Sequence, residues 1–329
     1  MSFPGHERRA VALLALTAFL WAISFPLIRV LSLAQHQHSP EISSWFVSSV
    51  IVTSRFLLGG LVVALLSPRS LQAITRSEWS QGLGLGLLCG ISILWQVDGL
   101  SYSPASVSAF ITQGYCVWIP IYVCLRSRRV PSGDLLISTG LVVAGIFLLS
   151  GASFDSLHLG RGELETLLAS LFCAAQILWL ERPRFEDNRS LTITVIMFFA
   201  AGLVAAPVAL VSSGGPGAWT QLLQLPHLTE LMVVLTLVCT VAPFLLMNQF
   251  QKFVTATEAG LIYCCEPIFA SLLALFLPGI LAGWMGTHYP NETPTAPLLL
   301  GGGLITAANI WIQVRKGSSP VRAANVGPA

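Results

Sequence analysis

Ser103 to Arg129 (SPASVSAFITQGYCVWIPIYVCLRSRR) and Thr255 to Leu277 (TATEAGLIYCCEPIFASLLALFL) decide the fold. Each is a long apolar run broken by small, polar or proline residues near its middle, and each follows three other apolar runs of similar length. Each is also followed by one further span, so the chain divides into five spans plus five. An odd number of crossings per unit makes the second unit enter the membrane from the opposite side. Inverted repeats of this kind build secondary transporters, whose halves rock around a site near the bilayer midplane. The expected fold is therefore all-α and membrane-integral, with ten transmembrane helices in two inverted five-helix repeats.

Composition agrees. The chain of 329 residues is 54% hydrophobic and 10% charged, against ~25% charged in an ordinary soluble domain. At ~20 apolar residues per crossing, the first spans fall near Ala10 to Leu31, Trp45 to Leu66, Gln81 to Tyr102, Ser103 to Leu125 and Pro131 to Gly151. The second set falls near Gly162 to Leu180, Leu191 to Val211, Leu231 to Phe250, Thr255 to Leu277 and Pro297 to Val314. Residues 1–9 form an N-terminal segment, 10–151 a first repeat, 162–314 a second, and 315–329 a Ser-, Pro-, Ala- and Gly-rich tail expected to be disordered. Cytoplasmic loops retain Lys and Arg, and ten spans with both termini inside place 14 of the 17 basic residues there. The exceptions are Arg161 in an outer loop, Arg29 near the outer end of span 1 and Arg55 within span 2. The net charge of +2 is a topology signal and implies no nucleic-acid partner.

Span 1 is too long, and too poorly followed by small residues, for a cleaved signal peptide. All seven cysteines fall inside spans, where they fit as small apolar fillers and neither as disulfides nor as metal ligands. Glycines 82, 84, 86 and 90 suit close helix packing in lipid. Thr255 with Glu258 fits a capping box, and Ser103 before Pro104 fits an N-cap with Pro at the first helical position. Asn291, Glu292 and Thr293 form a glycosylation sequon of low specificity in the long polar loop Gly283 to Ala296.

Charges within hydrocarbon each cost on the order of 2.5 to 3.5 kcal/mol. Arg55 and Glu266 match in mid-span depth, and Arg29 and Asp98 match at the outer mouth. The central two either pair structurally or act on a solute or proton, and the outer two form an expected charge pair. Trp21, Trp95, Gln96, Gln113, Tyr115, Trp118, Asn248 and Tyr263 lie at similar depth, a mixture that suits a small amphipathic or aromatic solute. Prolines 26, 120 and 267 interrupt their spans as candidate hinges, and Pro267 frees the Tyr263 carbonyl. The outer histidines His36 and His38 offer at best weak metal binding, so no metal and no cofactor is expected. There is no G-x-x-x-x-G-K-[ST], H-E-x-x-H or G-x-S-x-G sequence, which argues against nucleotide-driven pumping and soluble-type catalysis.

Leu20 to Val30 (LWAISFPLIRV) resembles the opening signature of EamA-type transporters in the drug/metabolite transporter superfamily. The resemblance continues through Arg55-Phe56, Ser106 to Pro120, Gly162 to Trp179 and Glu266-Pro267-Ile268-Phe269, so it covers nearly the whole chain as two tandem repeats. It implies ten helices, cytoplasmic termini and alternating-access movement of amino acids, metabolites or drugs, commonly outward. Two features depart from it: Pro278-Gly279 replaces the Gly-Glu pair that commonly ends span 9, and the first repeat has no proline at the position of Pro267. The expected function is a secondary-active exporter of a small organic solute in a bacterial inner membrane. Its partners are that solute and the lipid bilayer, and a homodimer is compatible with the reading. The alternatives are an intramembrane enzyme, for which a second carboxylate at the depth of Glu266 is missing, and a passive channel.

Overall fold

The computed structural model describes residues 4–128, 130–149, 159–180, 182–254, 259 and 262–318. Among these, every regular element is helical: α1 (Pro4–His38), α2 (Ser44–Leu66), α3 (Arg76–Gly99), α4 (Ala105–Thr112), α5 (Tyr115–Ser127), α6 (Gly133–Leu149) and α7 (Arg161–Leu180). There follow α8 (Ser190–Ser212), a short α9 (Pro216–Leu223), α10 (Leu228–Thr236), a π-helical turn (Leu237–Val241), α11 (Ala242–Phe250), α12 (Glu266–Ala274), α13 (Leu277–Met285) and α14 (Ala296–Ser318). Seven helical stretches are long and apolar enough to cross a membrane. The pair α12 and α13, bent by 57°, adds an eighth candidate, and Gly133–Leu149 and Ala296–Trp311 are shorter apolar helices. Large side chains such as Leu203 and Leu210 on α8 stand 62% and 69% exposed. A soluble monomer rarely exposes contiguous apolar surface on this scale, whereas a lipid-facing helix must.

Lipid gives helices no hydrophobic reason to associate, so close approach of small residues takes over. α3 shows how. A Cβ on Gly86 would lie 2.4 Å from Ala200 Cβ and 2.6 Å from the Met197 carbonyl, so α3 can approach α8 this closely only with glycine there. At its far end a Cβ on Gly99 would meet the Gly162 carbonyl at 2.9 Å, which brings the start of α7 onto the end of α3. α2 and α3 thus pack on α8, α3 on α7, α6 on α14, and α1 on α11, α12 and α13.

Several sequence expectations change in detail. α1 runs on to His38, seven residues past the expected end at Leu31. Pro26 and Pro120 sit inside continuous helices and interrupt nothing. The first broken span parts at Gln113 and Gly114, before Pro120. The second parts at Cys264 and Cys265, and Pro267 lies in the first turn of α12, where a missing N–H costs nothing. It parts again at Leu275 and Phe276, ahead of Pro278. A capping box does form at Thr75 and Glu78, where Thr75 Oγ1 accepts the Glu78 N–H and Glu78 accepts the Thr75 N–H. The one expected at Thr255 and Glu258 lies outside the described residues, as do residues 319–329 of the C-terminal tail, whose residues 315–318 continue α14 as helix and are not disordered as expected.

Candidate functional site

A cavity of about 270 Å³ lies between α1, α2, α3, α5, α7, α11 and α12. It extends from Gln96 and Thr112 to Leu180 and Gln251, beside the ends of α7 and α11. Of the expected site residues it gathers Trp21, Arg55, Gln96, Tyr115, Tyr263 and Glu266. Trp21 meets Phe244 and Tyr263 with ring centroids 5.4 and 5.6 Å apart, making an aromatic wall. Gln96 Nε2 donates to Thr112 Oγ1 at 3.0 Å, and Tyr263 hydroxyl donates to Gln251 Oε1 at 3.1 Å.

Four expected residues serve elsewhere. Trp95 stacks edge-on against Trp45, Trp118 Nε1 donates to Ser170 Oγ, Asn248 Nδ2 donates to Thr194 Oγ1, and Gln113 is fully buried behind the cavity. Sequence reasoning passed over Ser92, Gln176, Phe244, Met247 and Gln251, which also line the cavity. Gln176 is a polar side chain inside a predicted span and could have been noticed as such. Phe244 and Met247 carry no signal separating cavity from core.

The two central charges share the cavity without bonding each other. Proline at 243 has no N–H to give the Cys239 carbonyl four residues back, and a π-turn covers Leu237–Val241. Arg55 fills that gap: Nη2 donates to the Cys239 carbonyl at 3.2 Å and Nε to Thr240 Oγ1 at 2.8 Å. Gln113 does the same at the other broken helix, its Nε2 donating to the Tyr263 carbonyl at 3.2 Å. Glu266 is different. It is 8% exposed, it lines the cavity, and no cation or hydrogen-bond donor among the described residues reaches its carboxyl.

The opposite end is closed. Asp98 is fully buried, and its carboxylate accepts from Arg161 Nη2 at 2.6 Å and Ser48 Oγ at 3.2 Å. Arg161 also holds Glu165 at 2.7 Å and Tyr102 hydroxyl at 2.6 Å. The expected Arg29 and Asp98 pair is therefore corrected. Arg161 opens α7 within reach of Asp98, while Arg29 Nη1 donates to the Leu100 carbonyl at 2.8 Å. Arg29 instead borders a second cavity, of about 530 Å³, together with His288, Tyr289 and Glu292. Burial pushes the Tyr289 hydroxyl above its ordinary range, the negative charge of Glu292 adding to the effect and Arg29 opposing it. Ser103 is not the N-cap of α4. Pro104 takes that position, and Ser103 Oγ donates to Glu163 at 2.8 Å.

Helices with lipid-facing apolar surfaces around a polar and aromatic interior cavity fit a multi-pass membrane protein. The chain belongs to the EamA-like transporter family, whose profile matches residues 8–151 and 160–288, and hence to the drug/metabolite transporter superfamily. It is a membrane transporter by that membership. It is 24% identical over 268 residues to an uncharacterized transporter of Archaeoglobus fulgidus, a match covering 80% of this chain and 76% of that one. Its fold resembles a protein crystal structure at TM-score 0.55 and 16% identity, covering 94% of this chain and 99% of the other.

Proposed function

We propose that the protein is a secondary-active carrier that exports a small organic solute by alternating access, through ten spans in two inverted repeats with both termini in the cytoplasm. The observation that carries this reading is Glu266, a buried carboxyl facing the central cavity with no partner among the described residues. Leaving an ionised group buried and unpaired is costly, so the site favours a proton or a cationic group of the solute as its complement. Arg55, bonded through Nε and Nη2, faces the same cavity and has donors to spare for a solute acceptor.

With the sorting of basic residues, the mouth at Leu180 and Gln251 faces the cytoplasm, and the Asp98 and Arg161 end faces outward. This conformer is then the inward-open one, and solute loads from inside. A bacterial inner membrane is the setting this reading implies.

Purified protein in proteoliposomes should show saturable counterflow with at least one solute from a panel of amino acids, aromatic compounds and nucleosides. Flux without saturation or counterflow would make it a channel. An Arg128→Cys variant, free of native cysteines, should resist an impermeant reagent applied to intact cells. Labelling there would overturn the orientation.

A further inference from the structure

We infer that Glu292 is the latch of the closed end, the side chain that must release α4 before the bundle opens away from its present mouth. The inference rests on the alternating-access reading and adds to it a residue that nothing in the family membership assigns.

The helix α4 has no side-chain cap from its own N-cap residue. The first amides of a helix have no partner within it. At α4 the N-cap residue is Pro104, which offers no side-chain acceptor. Glu292, distant in sequence, supplies one. Its Oε1 accepts the Ala105 N–H at 2.9 Å, and its Oε2 accepts the Ser106 hydroxyl. A carboxylate at a helix N-terminus is favoured by the helix dipole, and hydrogen bonds to an ionised acceptor are stronger than neutral ones.

The same residue grips the second repeat through its backbone. The Glu292 N–H donates to the Ala274 carbonyl at 2.9 Å, at the last residue of α12, where the chain bends 57° into α13. Glu292 therefore ties the outer half of one broken span to the outer half of the other, and α4 packs directly on α12. The loop that carries it is pinned on both sides. Gln37 at the end of α1 accepts from Thr287 Oγ1 and the His288 N–H, and Asn291 Oδ1 accepts the Gly279 N–H at 2.7 Å.

The loop forms one wall of an open cleft of about 530 Å³, bordered also by Arg29, whose Nε is buried without a partner among the described residues. It buries Tyr289 against the core. Its ties to α1, α4, α12 and α13, however, are hydrogen bonds, which water can replace when the end opens.

The test reads opening directly and needs no solute. In a background without native cysteines, purified in detergent, Val107→Cys reports on the cleft, since Val107 is 8% exposed and lines it. Val130→Cys, at a position 90% exposed, is the control. Glu292→Ala should raise the rate of modification at Val107→Cys by a polar maleimide about tenfold or more, the size expected for losing charge-assisted hydrogen bonds, and leave the control rate unchanged. Ser106→Ala, which removes one of the two bonds from the Glu292 side chain to α4 and leaves its 3.3 Å bond from the Tyr289 hydroxyl, and Glu292→Gln, which keeps a neutral acceptor, should give intermediate rates.

An unchanged rate at Val107→Cys in folded Glu292→Ala protein would overturn the proposal, and so would an equal rise at both positions, which reports general loosening. If Glu292→Ala does not fold, Ser106→Ala and Glu292→Gln decide, and parental rates in both overturn it. Absence of counterflow with any solute would sink the carrier reading while leaving this accessibility result to stand or fall separately.

Discussion

Asp98 and Glu266 are both carboxylates buried in the bundle, and they live in opposite ways. Asp98 sits at the closed end with a guanidinium at 2.6 Å and a serine hydroxyl at 3.2 Å. Glu266 sits on the wall of the central cavity, where nothing among the described residues bonds it. A buried charge that is fully engaged holds structure together, and removing its partner is expensive. A buried acid without a partner contributes little to holding the fold and is placed to exchange one. In the proposed carrier, this difference separates the end that closes from the region that takes the solute.

Removing the guanidinium gives the largest expected loss of stability. Arg161→Ala strands the Asp98 carboxylate and should cost toward the lower end of roughly 3–5 kcal/mol, because Arg161 is itself 44% exposed. Thermal unfolding of the purified variant should begin several degrees below the parent. An unchanged transition would mean that Asp98 tolerates solitude as Glu266 does, and the contrast would collapse.

A smaller loss is expected where a neutral donor fills a proline-made gap. Gln113→Leu leaves the Tyr263 carbonyl without its 3.2 Å partner and should cost about 1–3 kcal/mol. The same thermal measurement checks it, and a stabilised variant would show that the carbonyl finds another donor. The least costly change is Thr75→Ala at the mouth end. It removes the capping bond to the Glu78 N–H at 3.1 Å while the Glu78 to Arg189 ion pair at 2.6 Å remains, so about 1 kcal/mol is expected. A cost equal to that of Arg161→Ala would mean that the mouth end is held as firmly as the closed end.

These contacts were unequally legible in the amino-acid sequence. α2 was read as Trp45 to Leu66 and is Ser44–Leu66, because an uninterrupted apolar run with polar flanks defines its own ends. The freed Tyr263 carbonyl could be read from Pro267, since a missing N–H is local information. Its donor could not be read, because Gln113 arrives from 150 residues away in the sequence. Likewise Asp98 and Arg29 were matched by depth alone. Depth says nothing about which face of a helix a side chain occupies, and the face went to Arg161. Thr75-x-x-Glu78 carries the same capping signature as Thr255 and Glu258, so this box is legible in the sequence. Glu292 as the cap of α4 has no local signal, since its partner is a backbone amide 187 residues away in the sequence. For the cavity, Trp21, Arg55, Gln96, Tyr115, Tyr263 and Glu266 stood out as polar or aromatic groups inside apolar spans. Phe244 and Met247 did not, because their chemistry is that of the surrounding core.

The central claim is that Glu266 is free to take up a proton or a solute cation. Glu266→Gln keeps the shape and removes the charge, so uptake into proteoliposomes with and without a pH gradient tests it most directly. The account predicts a variant that unfolds at the parental temperature and exchanges solute across the membrane, yet gains nothing from the gradient. A variant that responds to the gradient as the parent does, or that disappears from the membrane because it cannot fold, would contradict it.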